Sequence, residues 1–244
     1  MTNPGRAHNV AALARLAPEG SLFGHLCAEA AEDWRRYTGH EFVRRVGDGT
    51  LPEACFRHYL GQDYLFLFHF ARAYALAAFK SDSFDDLRSA SAALAALLDE
   101  VRLHVRTCAR WGMSERDLAA LPEATETLAY TRFVLETGMA GDLLDFHAAL
   151  AACVVGYAEV GAGLAAAPAT RLEGNPYREW IEAYAGESYQ AVAREEVSRL
   201  ERLAAARLGS DWSASPRLER LAAIFRETTR LEAAFWDMAL GAAR

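Results

Sequence analysis

The chain has 244 residues, a formal net charge of −7 and a hydrophobic content of 52%, of which fifty alanines form a large part. That length fits one large domain or two small ones. Alanine has the highest helix propensity, whereas strands favour β-branched and aromatic residues, so the composition predicts an all-α protein. The apolar content excludes a disordered chain except at the ends, and it also excludes collagen-like and disulfide-scaffold classes.

Charge and hydropathy limit the partners. The negative charge and the lack of clustered basic residues leave no platform for the phosphate backbone of a nucleic acid. Of the 26 basic residues, 25 are arginine and one is lysine (Lys80), which we interpret as a compositional bias. The longest uncharged apolar run, residues 148–158, has 11 residues, well short of the ~20 that span a membrane. We therefore expect no nucleic acid and no membrane as partner.

The four cysteines, Cys27, Cys55, Cys108 and Cys153, are far apart and form no C-x-x-C motif. This spacing argues against a zinc site and against a redox pair. The start of the chain, MTNPGRAHNV, lacks the apolar stretch of a secretory signal. These features predict a cytoplasmic protein with free thiols.

Helical periodicity runs almost from end to end, with short turns that carry Gly, Pro, Asn, Asp or Ser. Ser114 with Asp117 predicts a capping box, and Asn175-Pro176 predicts an N-cap followed by proline. The one linker candidate, 163–174, is short and alanine-rich, so we predict a single all-α bundle over residues 1–244, loosely ordered at 1–18. The predicted helices lie at about 19–46, 52–81, 84–111, 114–120, 123–138, 142–166, from 175, 187–208 and 215–239.

The segment from Phe56 to Phe70 has the most unusual pattern in the chain. Tyr59, Asp63, Phe66 and Phe70 are spaced by four, three and four residues, so a helix places them on one face. A carboxylate in an aromatic stripe needs a partner, because burying it ionised and unpaired is costly. Asp63 is thus either a structural residue, paired with an arginine or capping a helix, or a ligand for the hydrogen-bonding edge of a flat heterocycle.

A second candidate is Cys153 with Tyr157, which are four residues apart and therefore adjacent on a helix face. A cysteine in an alanine-rich helix is usually an inert small hydrophobe. It acts as a nucleophile only where its thiolate is favoured or a base lies nearby. From the residues alone, both interpretations stay open.

The third candidate is Glu232, which shares a helix face with Phe235 and Trp236. Aromatic surroundings would raise the pKa of this carboxyl group, as suits a general acid/base near neutral pH. The alternative is a boundary glutamate paired with Arg226 or Arg230.

Taken together, the motifs are more specific than any one of them. In order and spacing they resemble the thiaminase II (TenA) family over residues 20 to 240 or so. The motifs that carry the resemblance are Gly47-Asp48-Gly49-Thr50-Leu51-Pro52, Tyr59-Leu60-x-Gln62-Asp63, Cys153-x-x-x-Tyr157-x-Glu159-x-Gly161, Tyr177-x-x-Trp180-Ile181-x-x-Tyr184 and Glu232-x-x-Phe235-Trp236-x-Met238-Ala239.

This resemblance implies a haem-oxygenase-like fold, a homotetramer, and no metal or organic cofactor. The implied activity is hydrolysis of the substituent on the methylene group of a 4-amino-2-methylpyrimidine. The substrate is aminomethylpyrimidine, which releases ammonia, or thiamine, which releases its thiazole. The implied roles are nucleophile for Cys153, acid/base for Glu232, aminopyrimidine binding for Asp63, and further substrate binding for Tyr184, Tyr130, Tyr157 and Phe66.

One position departs from the family pattern: Phe66 stands where the family commonly has a tyrosine. Losing a hydroxyl group whose partner is buried would cost roughly 1 to 3 kcal/mol. Two alternatives therefore stay open, a non-catalytic pyrimidine-binding or regulatory protein, and a relative recruited to another heterocycle or to oxygen chemistry. Glu100 and His104 could touch one metal ion, but residues 228–240 contain no histidine to complete such a site.

Overall fold

The computed structural model describes residues 16–209 and 211–243, and within them the secondary structure is helical, without strands. The all-α prediction is confirmed; what was predicted for residues 1–15 lies outside the described residues. Numbered in chain order, the helices are α1 (Leu22–Glu29), α2 (Ala31–Thr38), α3 (Glu41–Asp48), α4 (Glu53–Phe79), α5 (Phe84–Arg110), α6 (Glu115–Ala119), α7 (Thr125–Ala140), α8 (Leu143–Ala166), α9 (Arg178–Ala185), α10 (Glu187–Leu208) and α11 (Leu218–Gly241), with a 3-10 helix at Trp212–Ala214.

The chain forms two compact units. The first unit comprises the residues up to Leu51 together with His147–Trp236, and the second comprises Pro52–Phe146 with the residues from Asp237 onward. The first unit thus contains α1 to α3, α9, α10 and most of α8 and α11. The second contains α4 to α7, in which α4 packs mainly on α5 and α7. The single domain predicted from the sequence stays a prediction.

The long first helix predicted at 19–46 is wrong, because three short helices occupy this stretch. Helix α2 ends at Gly39, a residue with little preference for helix. His40 then starts α3 as its N-cap, with Nδ1 accepting a hydrogen bond from the amide of Phe42 at 3.2 Å. The apolar periodicity continues across both breaks, which is why the sequence did not indicate them.

The turn after α3 is held by Asn175, whose Nδ2 donates to the carbonyls of Val46 at 2.9 Å and Gly47 at 3.1 Å. Gly49 closes the helix with a φ of 75°, a left-handed conformation that favours glycine. The predicted N-cap at Asn175 is displaced, since α9 begins at Arg178. Asn175 instead caps the turn that leads into α9, where its Oδ1 accepts a hydrogen bond from the amide of Tyr177 at 2.8 Å.

The remaining boundaries agree with the sequence to within about three residues. The capping box is confirmed: Ser114 Oγ accepts from the amide of Asp117 at 3.2 Å, and Asp117 Oδ2 accepts from the amide of Ser114 at 3.1 Å. Helix α11 begins at Leu218, later than predicted.

Helix α8 is the most apolar helix of the described residues. It is long and apolar enough to cross a membrane, but 83% of its most apolar stretch is buried inside the protein. A helix that is apolar all round suits a core position, because every face then meets protein. The predicted nucleophile, Cys153, lies on this helix.

Candidate active site

The predicted site residues fall in both units. All of them are buried except Tyr184, which is half-buried. The first unit holds Cys153, Tyr157, Tyr184 and Glu232, and the second holds Asp63, Phe66 and Tyr130.

In the second unit, the predicted face of α4 is buried along its length, from Tyr59 through Asp63 and Phe66 to Phe70. The rings of Phe66 and Phe70 stack with centroids 5.2 Å apart. Tyr130 on α7 brings its ring to 4.9 Å from that of Phe66. The helical spacing thus puts a carboxyl group and two stacked rings on one wall, and α7 adds Tyr130 to it.

The partners of Asp63 are not those weighed from the sequence. Its Oδ2 lies 3.5 Å from the hydroxyl of Tyr59 and 3.4 Å from Nδ1 of His104, on α5. Nε2 of His104 lies 3.0 Å from the carbonyl oxygen of Leu60. The expected arginine is replaced by a histidine. The sequence singled out His104 only as half of a metal pair, because its contact with Asp63 depends on how α4 and α5 pack.

Burial controls the charge of this cluster. It raises the pKa of Asp63 to about 7, although the hydrogen bond from Tyr59 opposes the rise. Burial and the neighbouring Asp63 raise the pKa of Glu100 to about 7, while burial lowers the pKa of His104. The thiol of Cys108 is raised to a pKa of about 12, chiefly by burial. The thiol of Cys108 therefore stays protonated at neutral pH, where the two carboxyl groups also keep much of their protonation.

In the first unit, Tyr157 on α8 is the centre of an aromatic cluster. Its ring centroid lies 4.8 Å from that of Tyr184 and 5.4 Å from that of Trp236. Trp180 on α9 packs 4.8 Å from Tyr184. Cys153 is buried one turn before Tyr157, on the same face. The sequence indicated these aromatic residues as motif members and not as one cluster.

Glu232 lies on α11, one turn before Trp236, and is 2% exposed. The two arginines considered as its partners contact other carboxyl groups. Arg226 contacts Glu29 at 3.9 Å, and Arg230 contacts Glu227 at 3.4 Å. A carboxyl group in this position is kept from water beside an aromatic ring.

The place of Tyr184 is fixed by α8. A Cβ atom on Gly161 would overlap the backbone of Tyr184 and Ala185, so the absence of a side chain there permits this approach. The side chain of Gln190 donates to the carbonyls of Ala158 and Tyr184, both at 2.9 Å. Sequence reasoning missed Gln190, which carries no motif signal and acts only through the packing of α10.

A second buried carboxyl group of this unit lies at Glu159. Its Oε2 accepts a hydrogen bond from the indole of Trp34 at 2.9 Å, and its Oε1 is buried with no hydrogen-bond partner among the described residues. Burial raises the pKa of Glu159 to about 7. Burial, together with Glu159, raises the pKa of the Cys27 thiol well above its usual value. Like Cys108, Cys27 therefore stays a protonated thiol at neutral pH.

The sequence model of the TENA/THI-4/PQQC family matches residues 27–242. The chain belongs to this family. A TenA family protein described as a transcription regulator, from Silicibacter, superposes on the chain with a TM-score of 0.87. It is 46% identical, and the match covers 91% of this chain and 98% of that one.

Two further relatives cover nearly their whole length. An uncharacterized protein of Haemophilus influenzae is 41% identical over 90% of this chain and 99% of its own. The aminopyrimidine aminohydrolase of Halalkalibacterium halodurans is 34% identical over 90% of this chain and 95% of its own. The resemblance to TenA proteins expected from the motifs is therefore confirmed.

The fold is also confirmed. A domain from Shewanella denitrificans, described as having a heme oxygenase-like fold, superposes with a TM-score of 0.68 at 15% identity. No group of three His, Cys, Asp or Glu side chains in the described part of this TenA family chain is arranged to bind a metal ion.

Proposed function

We propose that this protein hydrolyses the substituent on the methylene carbon of a 4-amino-2-methylpyrimidine, in thiamine salvage. The observation that carries the proposal is its relation to three bacterial proteins named aminopyrimidine aminohydrolase. They are 34%, 30% and 31% identical to it. With aminomethylpyrimidine, water replaces the amine, giving hydroxymethylpyrimidine and ammonia; with thiamine, water replaces the thiazole.

In this proposal Cys153 is the nucleophile and Glu232 the general acid/base. The thiolate adds to the pyrimidine ring and disrupts its aromaticity, and protonation of a ring nitrogen stabilises the adduct. The substituent then departs, the amine as ammonia with a proton from Glu232 and the thiazole as a neutral ring without one. Water adds to the methylene carbon and gives its proton to Glu232, the ring nitrogen loses the proton it gained, and the thiolate leaves as the ring regains its aromaticity. Both side chains are buried, as in a site that closes around its substrate. Because burial alone disfavours a thiolate, the proposed role of Cys153 also requires a base nearby.

Asp63 is proposed to bind the aminopyrimidine. Its two contacts, Tyr59 and His104, fix the orientation of a buried carboxyl group, and such positioning lowers the barrier of the chemical step. Tyr184, Tyr157, Tyr130 and Phe66 are proposed to contact the substrate through their rings. Among the four residues of this set, Phe66 is the one that lacks the hydroxyl group common in the family.

The decisive test is an assay of the purified protein with aminomethylpyrimidine and with thiamine, with hydroxymethylpyrimidine quantified in both. We expect turnover of at least one substrate. Replacing the nucleophile in Cys153→Ser should lower kcat by about a thousandfold or more, because a hydroxyl group is far less nucleophilic than a thiolate.

The matched control is Cys55→Ser. The thiol of Cys55 donates to the carbonyl of Leu240 at 3.6 Å, a bond that serine can keep. This variant should retain wild-type turnover. Full activity in Cys153→Ser would refute the proposed nucleophile, and no turnover of either pyrimidine by the wild-type protein would refute the activity.

A binding or regulatory role is the second candidate, and Phe66 is the observation that favours it. A solved relative is described as a transcription regulator, although that description belongs to the relative. A protein of this kind binds hydroxymethylpyrimidine without converting aminomethylpyrimidine. Saturable turnover decides against it.

We further propose a cytoplasmic homotetramer. Large apolar side chains of the second unit are exposed to solvent in the single chain. Their exposure supports an oligomer, because association would bury them. Phe79 is 86% exposed, Phe84 78% and Met139 69%. The four cysteines form no disulfide bond with one another, as is usual in a reducing compartment.

A further inference from the structure

The contact between His104 and Asp63 constrains the position of a proton. Nε2 of His104 lies 3.0 Å from the carbonyl oxygen of Leu60, and a carbonyl oxygen only accepts, so Nε2 carries hydrogen. The other ring nitrogen, Nδ1, lies 3.4 Å from Oδ2 of Asp63. Two bare acceptors repel each other, so a proton lies between them, on Oδ2 of a neutral Asp63 or on Nδ1 of a cationic His104.

This arrangement leaves the two oxygens of Asp63 unequal. Both contacts of the carboxyl group use Oδ2: the hydroxyl of Tyr59 reaches it along α4, and His104 reaches it from α5. The proton between the two side chains lies either on Oδ2 of Asp63 or on Nδ1 of His104. In neither case does Oδ1 of Asp63 carry a proton. Oδ1 is therefore a hydrogen-bond acceptor in both protonation states.

We propose that His104 is a positioning residue, which holds Oδ2 of Asp63 and thereby presents Oδ1 as the acceptor for the exocyclic amine of a 4-aminopyrimidine. The inference rests on the proposed function and adds the residue that makes Asp63 selective for an N–H donor. A carboxyl group free to rotate could offer either a donor or an acceptor, and would not select the amine.

The charges around Asp63 agree with this role. Four titratable side chains among the described residues interact with Asp63 through a hydrogen bond, an ion-pair contact or their charge: Tyr59, Glu100, His104 and Cys108. His104 is the basic one of the four. Glu100 lies one turn before His104 on α5, and the charge of His104 lowers the pKa of Glu100 against the opposite effects of burial and Asp63.

The experiment distinguishes the contribution of Nδ1 of His104 from that of Nε2. In His104→Asn the amide reaches the place of Nδ1 and keeps a partner for Asp63, whereas in His104→Gln it reaches the place of Nε2 and keeps only the bond to Leu60. Calorimetry measures the affinity of each variant for hydroxymethylpyrimidine and for the analogue that lacks the exocyclic amine. His58→Gln, on α4 and outside the proposed machinery, is the matched control.

We expect His104→Gln to weaken the binding of hydroxymethylpyrimidine about tenfold, and the binding of the amine-free analogue less than about twofold. His104→Asn should recover most of the loss, and His58→Gln should bind as the wild type does. In an active enzyme, His104→Gln should raise KM while kcat stays within about twofold, because orientation of the ring in the ground state is what is lost.

The inference is overturned if His104→Gln weakens both ligands equally, if His104→Asn is no better than His104→Gln, or if neither variant changes affinity. Turnover is measured separately. Suppose that the wild-type protein and the variants bind hydroxymethylpyrimidine with the expected ranking of affinities, but the wild-type protein converts neither substrate. This result refutes the proposed hydrolysis and supports the role of His104. A wild-type protein that does not bind the pyrimidine refutes both.

Discussion

Two buried glutamates of the first unit have opposite environments. Glu159 accepts one hydrogen bond from Trp34 and is otherwise desolvated, so its pKa rises to about 7. Glu196 contacts His147 Nδ1 at 2.6 Å and Arg199 Nη1 at 3.1 Å, and these two neighbours lower its pKa against the effect of burial. The same residue type, equally buried, is therefore favoured as the acid in one place and as the anion in the other.

These environments predict opposite effects of pH on stability. In the unfolded chain Glu159 ionises near 4.5, whereas in the folded chain it keeps its proton up to about 7. The folded state thus binds more protons between these values, and the free energy of unfolding falls as pH rises through them. Glu159→Gln lacks this dependence, so its stability relative to wild type should rise by up to roughly 3 kcal/mol between about pH 4 and pH 8.

Urea denaturation of both proteins across this range measures the difference. Glu196→Gln is the control of opposite sign. The lowered pKa of Glu196 stabilises the fold above the unfolded pKa and ceases to do so as pH falls through the folded one. This variant should be less stable than wild type at neutral pH and should approach it in acid. A difference for Glu159→Gln that does not change with pH would contradict the expectation.

At the scale of the elements, two of the three glycines in helix α8, Gly161 and Gly163, have different surroundings. A Cβ atom on Gly161 would overlap the backbone of Tyr184 and Ala185, whereas one on Gly163 would meet nothing within 4 Å. Gly161 therefore permits the contact between α8 and α9, and Gly163 only weakens the helix.

We predict that Gly161→Ala lowers the free energy of unfolding by about 1 to 3 kcal/mol, since the backbone of α9 must move away. Gly163→Ala should raise it by up to about 1 kcal/mol, because alanine is the better helix former. Thermal denaturation of the two variants, followed by circular dichroism, distinguishes them. Equal effects would mean that the close approach at Gly161 does not stabilise the fold.

Most elements were predictable because their signals are local. The capping box at Ser114, the alanine-rich α8 and the length of α4 all follow from spacing and propensity. The breaks at Ala30 and Gly39 were not predictable, since the apolar pattern runs through them. The late start of α9 also depends on a distant contact, because Asn175 is engaged by the end of α3.

In the candidate site, too, contacts within one helix were predictable from the sequence and contacts between helices were not. Tyr59, Asp63, Phe66 and Phe70 share a face because the spacing within one helix requires it. The pairing of Asp63 with His104, 41 positions further along the chain, depends on the packing of α5 against α4, which no spacing rule specifies. Sequence reasoning therefore named the carboxylate and missed its partner.

At the scale of the whole molecule, the exposed rings of the second unit give a prediction about assembly. Phe79 and Phe84 are among its most exposed apolar side chains. We expect light scattering coupled to size exclusion to give the mass of an oligomer for the wild-type protein. Phe79→Asp combined with Phe84→Asp should shift that mass toward 26.8 kDa, the mass of one chain, because buried charge opposes association.

An exposed pair elsewhere serves as the control. Leu172→Asp combined with Val192→Asp alters apolar side chains of the first unit that are 37% and 46% exposed. This variant should keep the wild-type mass. A monomeric wild-type protein would contradict the proposed tetramer.

The discontinuity of the first unit has a consequence for synthesis on the ribosome. Its contacts join distant parts of the chain: Trp34 to Glu159, 125 positions away, and Phe42 to Trp236. During translation, Trp34 and Phe42 in helices α2 and α3 stay exposed to solvent until Trp236 has left the ribosome. Helices α4 to α7, which are consecutive, find their partners earlier. Helices α1 to α3 are thus among the last to fold, and their apolar side chains stay exposed longest during synthesis.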